Sequence, residues 1–215
     1  MSRVLLTGFG SYAEEADNPS GAIAARLDGS LMDGVSIHGL VLSVKSASVA
    51  SALREAIERI RPDVVLVTGV TPGRVAVSVE RVAINVQDFP IPDVDGLTPV
   101  DEPVVDGGPS AYFSQLPIKA ILSAWRERQI PGYVSNSAGT YVCNQTFYLA
   151  RHLTDRSNTI AGLVHIPLAC GNAAGVHPPP PSLHLDMLEA AVRTAAIVAA
   201  THRGPDFKLG AGSTS

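Results

Sequence analysis

Apolar and polar positions fall into two rhythms along this chain. Val4–Leu6, Val64–Val67 and Ile160–Leu168 are dense apolar runs, the pattern of strands buried on both faces of a parallel sheet. Val35–Val44, with Ile37, Leu40 and Leu42 apolar, and Gly132–Ser135 read as further strands. Between them the spacing changes to threes and fours. Ala22, Ile23 and Leu27 predict a helix that Asn18 or Ser20 can cap. Val49, Leu53, Ile57 and Ile60 form one face of a helix running from Ser46 or Ser48 to Arg61, and Pro62-Asp63 ends it. Ile118–Arg128, a segment carrying Phe147, Leu149, Ala150 and Leu153, and Leu185–Ala200 are the remaining helices. Val75–Val86 is extended. Gln87–Pro109, rich in Pro, Asp and Gly, is an irregular excursion holding a short hairpin, and Gly171–Pro181 is a loop stiffened by four prolines. Strand, helix, strand in this order predicts βαβ connections and an α/β domain, mostly parallel, with helices on both faces. One domain is expected over residues 1–203, with a mobile tail over residues 204–215.

Composition narrows the class. The 215 residues suffice for one sizeable core, with 46% hydrophobic and 17% charged residues. A net charge of −4 argues against nucleic acid or an anionic membrane as partner, since both call for a basic patch. No apolar run is long enough to cross a bilayer, and MSRVLLTGFG enters a strand directly, without a signal peptide's apolar core. With only Cys143 and Cys170, a disulfide framework is not expected and a cytoplasmic location is.

In open α/β sheets, sites form beyond the carboxyl ends of strands. The loops after Leu6, Val67 and His165 and the turn before Cys143 all open there. Cys143 follows the strand Gly132–Ser135 and the turn Asn136–Thr140, near the first turn of a helix. Free N–H groups and the helix dipole at that point favour an anion, so the thiol is expected to ionise readily. The alternative is a small residue packed under the helix. His165 lies inside the apolar run Gly162–Pro167, where an imidazole needs a partner. It is either a core histidine bonded to carbonyls or the base of a cysteine hydrolase. Glu80, inside VAVSVERVAINV, either orients that base or sits on an exposed strand face, pairing with Arg81 or Arg74. No Gly-x-Ser-x-Gly elbow, Walker loop or dinucleotide fingerprint is present. Cys170, His177 and His184 lack the spacing of a metal-ligand pair.

Several segments in order carry a resemblance: LLTGFG with Asn18-Pro19-Ser20, then Glu80–Asn85, Ile91-Pro92-Asp93, SNSAGTYVCN, His165-Ile166-Pro167 and Ser182–Met187. From Val4 to about Arg193 the chain resembles the type I pyroglutamyl peptidases. The resemblance implies a three-layer αβα fold of the phosphorylase/hydrolase kind. It implies a cytosolic cysteine peptidase, often a homotetramer, that needs no metal or cofactor and removes N-terminal 5-oxoproline from small peptides. It further implies Cys143 as nucleophile, His165 as general base and acid, and Glu80 as the group orienting the imidazole. Phe9, Tyr12, Asn18 and Val70 are the expected substrate contacts. Three positions depart from the family pattern: Tyr12 replaces a usual Phe, Val70 a frequent Gln, and Pro90 a usual Arg. They leave open a cysteine hydrolase with altered lactam or N-acyl preference, or a catalytically weak binding module.

Overall fold

The computed structural model describes residues 1–12 and 17–212. Part of the loop expected between Gly10 and Pro19, residues 13–16, and the last three residues of the tail lie outside the described residues. In chain order the elements are β1 (Ser2–Phe9), α1 (Pro19–Leu27), β2 (Leu31–Met32), β3 (Val35–Leu42), α2 (Ser46–Ile60) and β4 (Val64–Val70). Then come β5 (Val77–Glu80), β6 (Val82–Ile84), β7 (Ala111–Phe113), α3 (Ile118–Glu127), β8 (Gly132–Ser135) and α4 (Val142–Thr154). The chain finishes with β9 (Ile160–Ile166), β10 (Leu168–Ala169), α5 (Cys170–Ala173), β11 (Ser182–Leu183) and α6 (Leu185–Thr201).

Seven strands make the central sheet in the order β2-β3-β1-β4-β9-β5-β8. β3, β1, β4 and β9 run parallel, β5 lies antiparallel to β9, and β8 is parallel to β5. The sheet is therefore mostly parallel, as the apolar runs predict. Side chains alternate faithfully between its faces. Val4, Leu6, Val64, Leu66, Val164 and Ile166 join one core with α1, α3 and α6. Leu5, Phe9, Val65, Val67, Ala161 and Leu163 join the other with α2 and α4. Both faces are thus covered by helices, giving an α/β sandwich of three layers. Among the described residues no helix is long and apolar enough to cross a membrane.

Two features differ from the sequence pattern. The apolar stretch Val75–Val86 is split at Arg81: β5 enters the central sheet, while β6 leaves it to pair with β7 as a separate antiparallel ribbon. The excursion after it is pinned by one buried carboxylate. Asp93 accepts hydrogen bonds from the Ser46 N–H and hydroxyl, both at 2.8 Å, and from the N–H groups of Asp95 and Leu97 at 2.9 and 3.0 Å. Helix α2 has Lys45 at its N-cap with no side-chain cap bond, so Asp93 supplies the missing acceptor from 47 residues away. Asp206, in the tail beyond α6, serves α3 likewise, accepting from the N–H groups of Lys119 and Ala120 at 2.9 Å each.

Burial alone would raise the Asp93 pKa, but the bonds from Ser46, Leu97 and Asp95 outweigh it and hold the carboxyl below its ordinary value. A lowered folded-state pKa gives stability that is complete above the unfolded value, near 4, and is lost as pH falls through the folded value. Asp93→Ala is expected to lower the unfolding free energy by about 2–4 kcal/mol at pH 7, measured by urea denaturation. That gap should shrink as both proteins are titrated below about pH 4.

Candidate active site

The carboxyl ends of β1, β4 and β9 open toward the start of α4. At the end of β1, Phe9 is held by its own backbone, whose N–H donates to Ser20 Oγ at 3.0 Å. The Asn18 side chain accepts from the Ser20 N–H at 3.0 Å and from its hydroxyl at 2.7 Å, so Asn18 is the N-cap of α1. This packing needs a bare backbone at Gly8, where a Cβ would lie 2.1 Å from the Ser20 carbonyl oxygen. The Gly-Phe-Gly and Asn-Pro-Ser segments are thus two halves of one corner.

Cys143 sits in the first turn of α4, whose N-cap, Tyr141, makes no side-chain cap bond. Its sulfur lies against β4 at Gly69: a Cβ built there would be 2.6 Å from Cys143 Sγ and 3.5 Å from His165 Cδ2. Gly69 is also the register partner of His165 in β9. The absent side chain leaves room for both the sulfur and the imidazole above β4. Of the ring atoms, Cδ2, which is bonded to Nε2, lies nearest that point over Gly69. The other ring nitrogen, Nδ1, lies 2.8 Å from Glu80 Oε1. His165 is 2% exposed and Glu80 fully buried, so neither charge is shared with solvent. β5 is what delivers the carboxylate: Ser78 pairs with His165 across the sheet, and Glu80, two residues on, shares Ser78's face.

Glu80 is not on an exposed strand face, the alternative expected from sequence, but the pairing expected with Arg74 is present: Oε1 meets Arg74 Nη1 at 2.6 Å. Ser78 Oγ donates to the same oxygen at 3.2 Å, while Oε2 is buried without a partner among the described residues. Burial pushes the Glu80 pKa up. The hydrogen bond and charge of His165, with Ser135 and Arg74, push harder the other way, and it settles below the ordinary value. Burial drives His165 down, past the opposing pull of Glu80 and with help from Arg74. The resting imidazole is therefore neutral and basic at Nε2. The expectation of a readily ionised thiol is overturned. Burial, with the nearby Glu80 charge, pushes Cys143 up to about 12 despite Arg74. Desolvation is the largest cause, and the Glu80 charge adds to it.

Beside the thiol lies a cavity of about 290 Å³ lined by Phe9, Tyr12, Asn18, Val70 and Cys143, all singled out from sequence. Sequence reasoning missed the remaining wall, Val44, Pro72, Ile91, Tyr141 and Val142, since apolar residues of this kind carry no sign of function. Tyr12 and Tyr141 both donate their hydroxyls to the Pro92 carbonyl, at 2.5 and 3.0 Å, and Phe89 meets Tyr141 edge-on at 4.6 Å. The hydroxyl that sets Tyr12 apart from a phenylalanine thus ties the loop after β1 to the excursion. Val70 faces the cavity, whereas Pro90 is exposed. No group of three or more His, Cys, Asp or Glu able to hold a metal occurs among the described residues.

The sequence model of the pyroglutamyl peptidase family matches residues 2–203. A pyrrolidone-carboxylate peptidase of Klebsiella pneumoniae strain 342 is 45% identical over 215 residues, covering 100% of both chains. One from Pyrococcus furiosus is 41% identical over 202 residues, 92% of this chain and 97% of that one. Among solved structures, the pyrrolidone carboxyl peptidase of Thermococcus litoralis superposes with a TM-score of 0.94 at 30% identity, covering 98% of this chain and 100% of that one.

A thiol that is protonated at rest should alkylate without an early plateau. The rate of Cys143 modification by iodoacetamide is expected to climb steadily from pH 7 to pH 10, followed by peptide mass spectrometry. A rate already level by pH 7 would show a standing thiolate.

Proposed function

The chain belongs to the pyroglutamyl peptidase family, and from that premise we propose that Cys143, His165 and Glu80 perform the family's reaction. That reaction is hydrolysis of the amide bond after an N-terminal 5-oxoprolyl residue of a peptide. The observation that carries the assignment is the buried Glu80–His165 hydrogen bond of 2.8 Å beneath a cavity walled by Cys143.

In this reading His165 Nδ1–H donates to Glu80, which fixes the tautomer and leaves the Nε2 lone pair free. Nε2 takes the thiol proton as sulfur attacks the 5-oxoprolyl carbonyl, so no resting thiolate is required. Glu80 stabilises the imidazolium that forms. The first N–H groups of α4 have no helical partners and face the developing oxyanion. Nε2–H then protonates the leaving amine, and the shortened peptide departs. A water gives its proton to Nε2 and attacks the thioester, which releases 5-oxoproline and restores the thiol.

The cavity gives a reason for the substrate. None of its described lining residues is charged. A flat lactam brings no charge and needs only one amide edge satisfied. An ordinary peptide N-terminus brings an ammonium, whose burial there without a partner is disfavoured by several kcal/mol. Phe9, Tyr141, Val44 and Val70 offer the apolar contacts that the ring requires.

A chromogenic 5-oxoprolyl amide should be hydrolysed, and the matching prolyl and acetyl-amino-acid amides should not. Cys143→Ala is expected to abolish turnover, Cys170→Ser to leave it unchanged, and Glu80→Gln to lower kcat by about 10²–10⁴-fold. The acid limb of kcat/KM should fall below the ordinary imidazole value, about 6.5, because His165 stays neutral to lower pH. Turnover of the control amides alone would point to a different acyl group. No turnover by a folded protein would refute catalysis.

A further inference from the structure

Beyond the three residues assigned above, a fourth group shares their hydrogen-bonding atom. Arg74 lies on the loop between β4 and β5. Its Nη1 reaches Glu80 Oε1, the same oxygen that receives His165, and makes a close contact with Ser78 Oγ. The guanidinium is fixed from its other sides too. Nη2 donates to the Ser137 carbonyl at 3.4 Å, and the group lies 5.8 Å from the Tyr133 ring centroid. Its side chain is only 18% exposed, so the ion pair with a fully buried carboxylate is largely shielded from solvent. Three donors converge on Oε1 while Oε2 has none among the described residues. That asymmetry sets the rotation of the carboxylate about its own axis.

Resting on the proposed roles of Cys143, His165 and Glu80, we propose that Arg74 is the positioning residue of this site. It holds the Glu80 carboxylate ionised with Oε1 aimed at His165 Nδ1, and it keeps that carboxylate from drawing a resting proton onto Nε2. The physical need is clear from the neighbours. An unpaired buried carboxylate has two escapes: it takes up a proton itself, or it forms a standing pair with imidazolium. The first loses the orienting charge. The second occupies the lone pair that must receive the thiol proton. A fixed cation on the far side of Oε1 blocks both. Its charge also opposes proton uptake by His165, which agrees with the direction in which Arg74 moves that ring. The charged or titratable groups around the imidazole are Glu80 on β5, Arg74 on its loop, Cys143 on α4 and, behind Arg74, Tyr133 on β8.

The test compares Arg74→Met, Arg74→Gln and Arg74→Lys with the unmodified chain, using pH profiles of kcat/KM on the chromogenic 5-oxoprolyl amide. In parallel, the His165 Cε1–H resonance is titrated in Cys143→Ala protein with and without the Arg74 changes. Loss of the cation is expected to move the acid limb and the His165 titration upward by about one pH unit or more. The rate deficit at pH 6 should then exceed that at pH 9 by about tenfold or more, and Arg74→Lys should recover most of the shift. An equal deficit at every pH, a His165 titration that does not move, or a lysine no better than methionine would overturn the proposal. So would failure of both neutral variants to fold while Arg74→Lys folds, which would make Arg74 a structural residue. If the unmodified chain does not hydrolyse the amide, the proposed function fails, while the His165 titration still decides the role of Arg74.

Discussion

The hydrogen bond between Glu80 and His165 is the constraint around which the site is arranged. Both groups are buried, and each gives the other a hydrogen-bond partner there. A neutral imidazole donating from Nδ1 needs an acceptor, and an ionised carboxylate needs donors. The central sheet satisfies both by setting β5 antiparallel beside β9, with Ser78 across from His165 and Glu80 on the same face. The local reversal at β5, in a mostly parallel sheet, has this geometric result. A parallel strand at that place would bring a different set of side chains over the ring.

The remaining parts follow from placing a sulfur over the same stretch of sheet as that ring. Gly69 clears the space between β4 and α4, and α4 presents Cys143 in its first turn. The cost of this dry setting is borne by the thiol, which is a weaker acid than in water. Chemistry then depends on a base that stays unprotonated until substrate arrives. A buried imidazole does so, which is why the proposed mechanism takes the form of general-base catalysis. The same dryness favours an uncharged lactam in the adjoining cavity. Specificity and acid–base chemistry thus share one physical origin.

Much of this was legible in the sequence, and the reason differs by element. β4 and β9 announce themselves because strands buried on both faces must be apolar almost throughout. His165 and Glu80 stand out for the converse reason, as polar residues in such runs. The cap of α1 was readable from Asn18-Pro19-Ser20, whereas the close approach of Gly8 to Ser20 was not. What the sequence could not convey were relations between distant segments. Asp93 capping α2 depends on a meeting with Ser46 across the excursion, and neither residue is unusual in its own context. The split of Val75–Val86 at Arg81 is hidden because both halves are equally apolar. Arg74 was visible only as one of two partners for Glu80. The raised pKa of Cys143 was hidden because helix position can be read from spacing, whereas desolvation and a carboxylate brought in on a distant strand cannot.

The proposed chemistry depends most directly on the protonation of one ring. In protein carrying ¹⁵N-labelled histidine, long-range ¹H–¹⁵N spectra at pH 7 report the two nitrogens of His165 separately. The structure predicts a protonated Nδ1 and an unprotonated Nε2, with that pattern lost in Glu80→Gln. A ring protonated on both nitrogens at pH 7, or a proton on Nε2 alone, would contradict it.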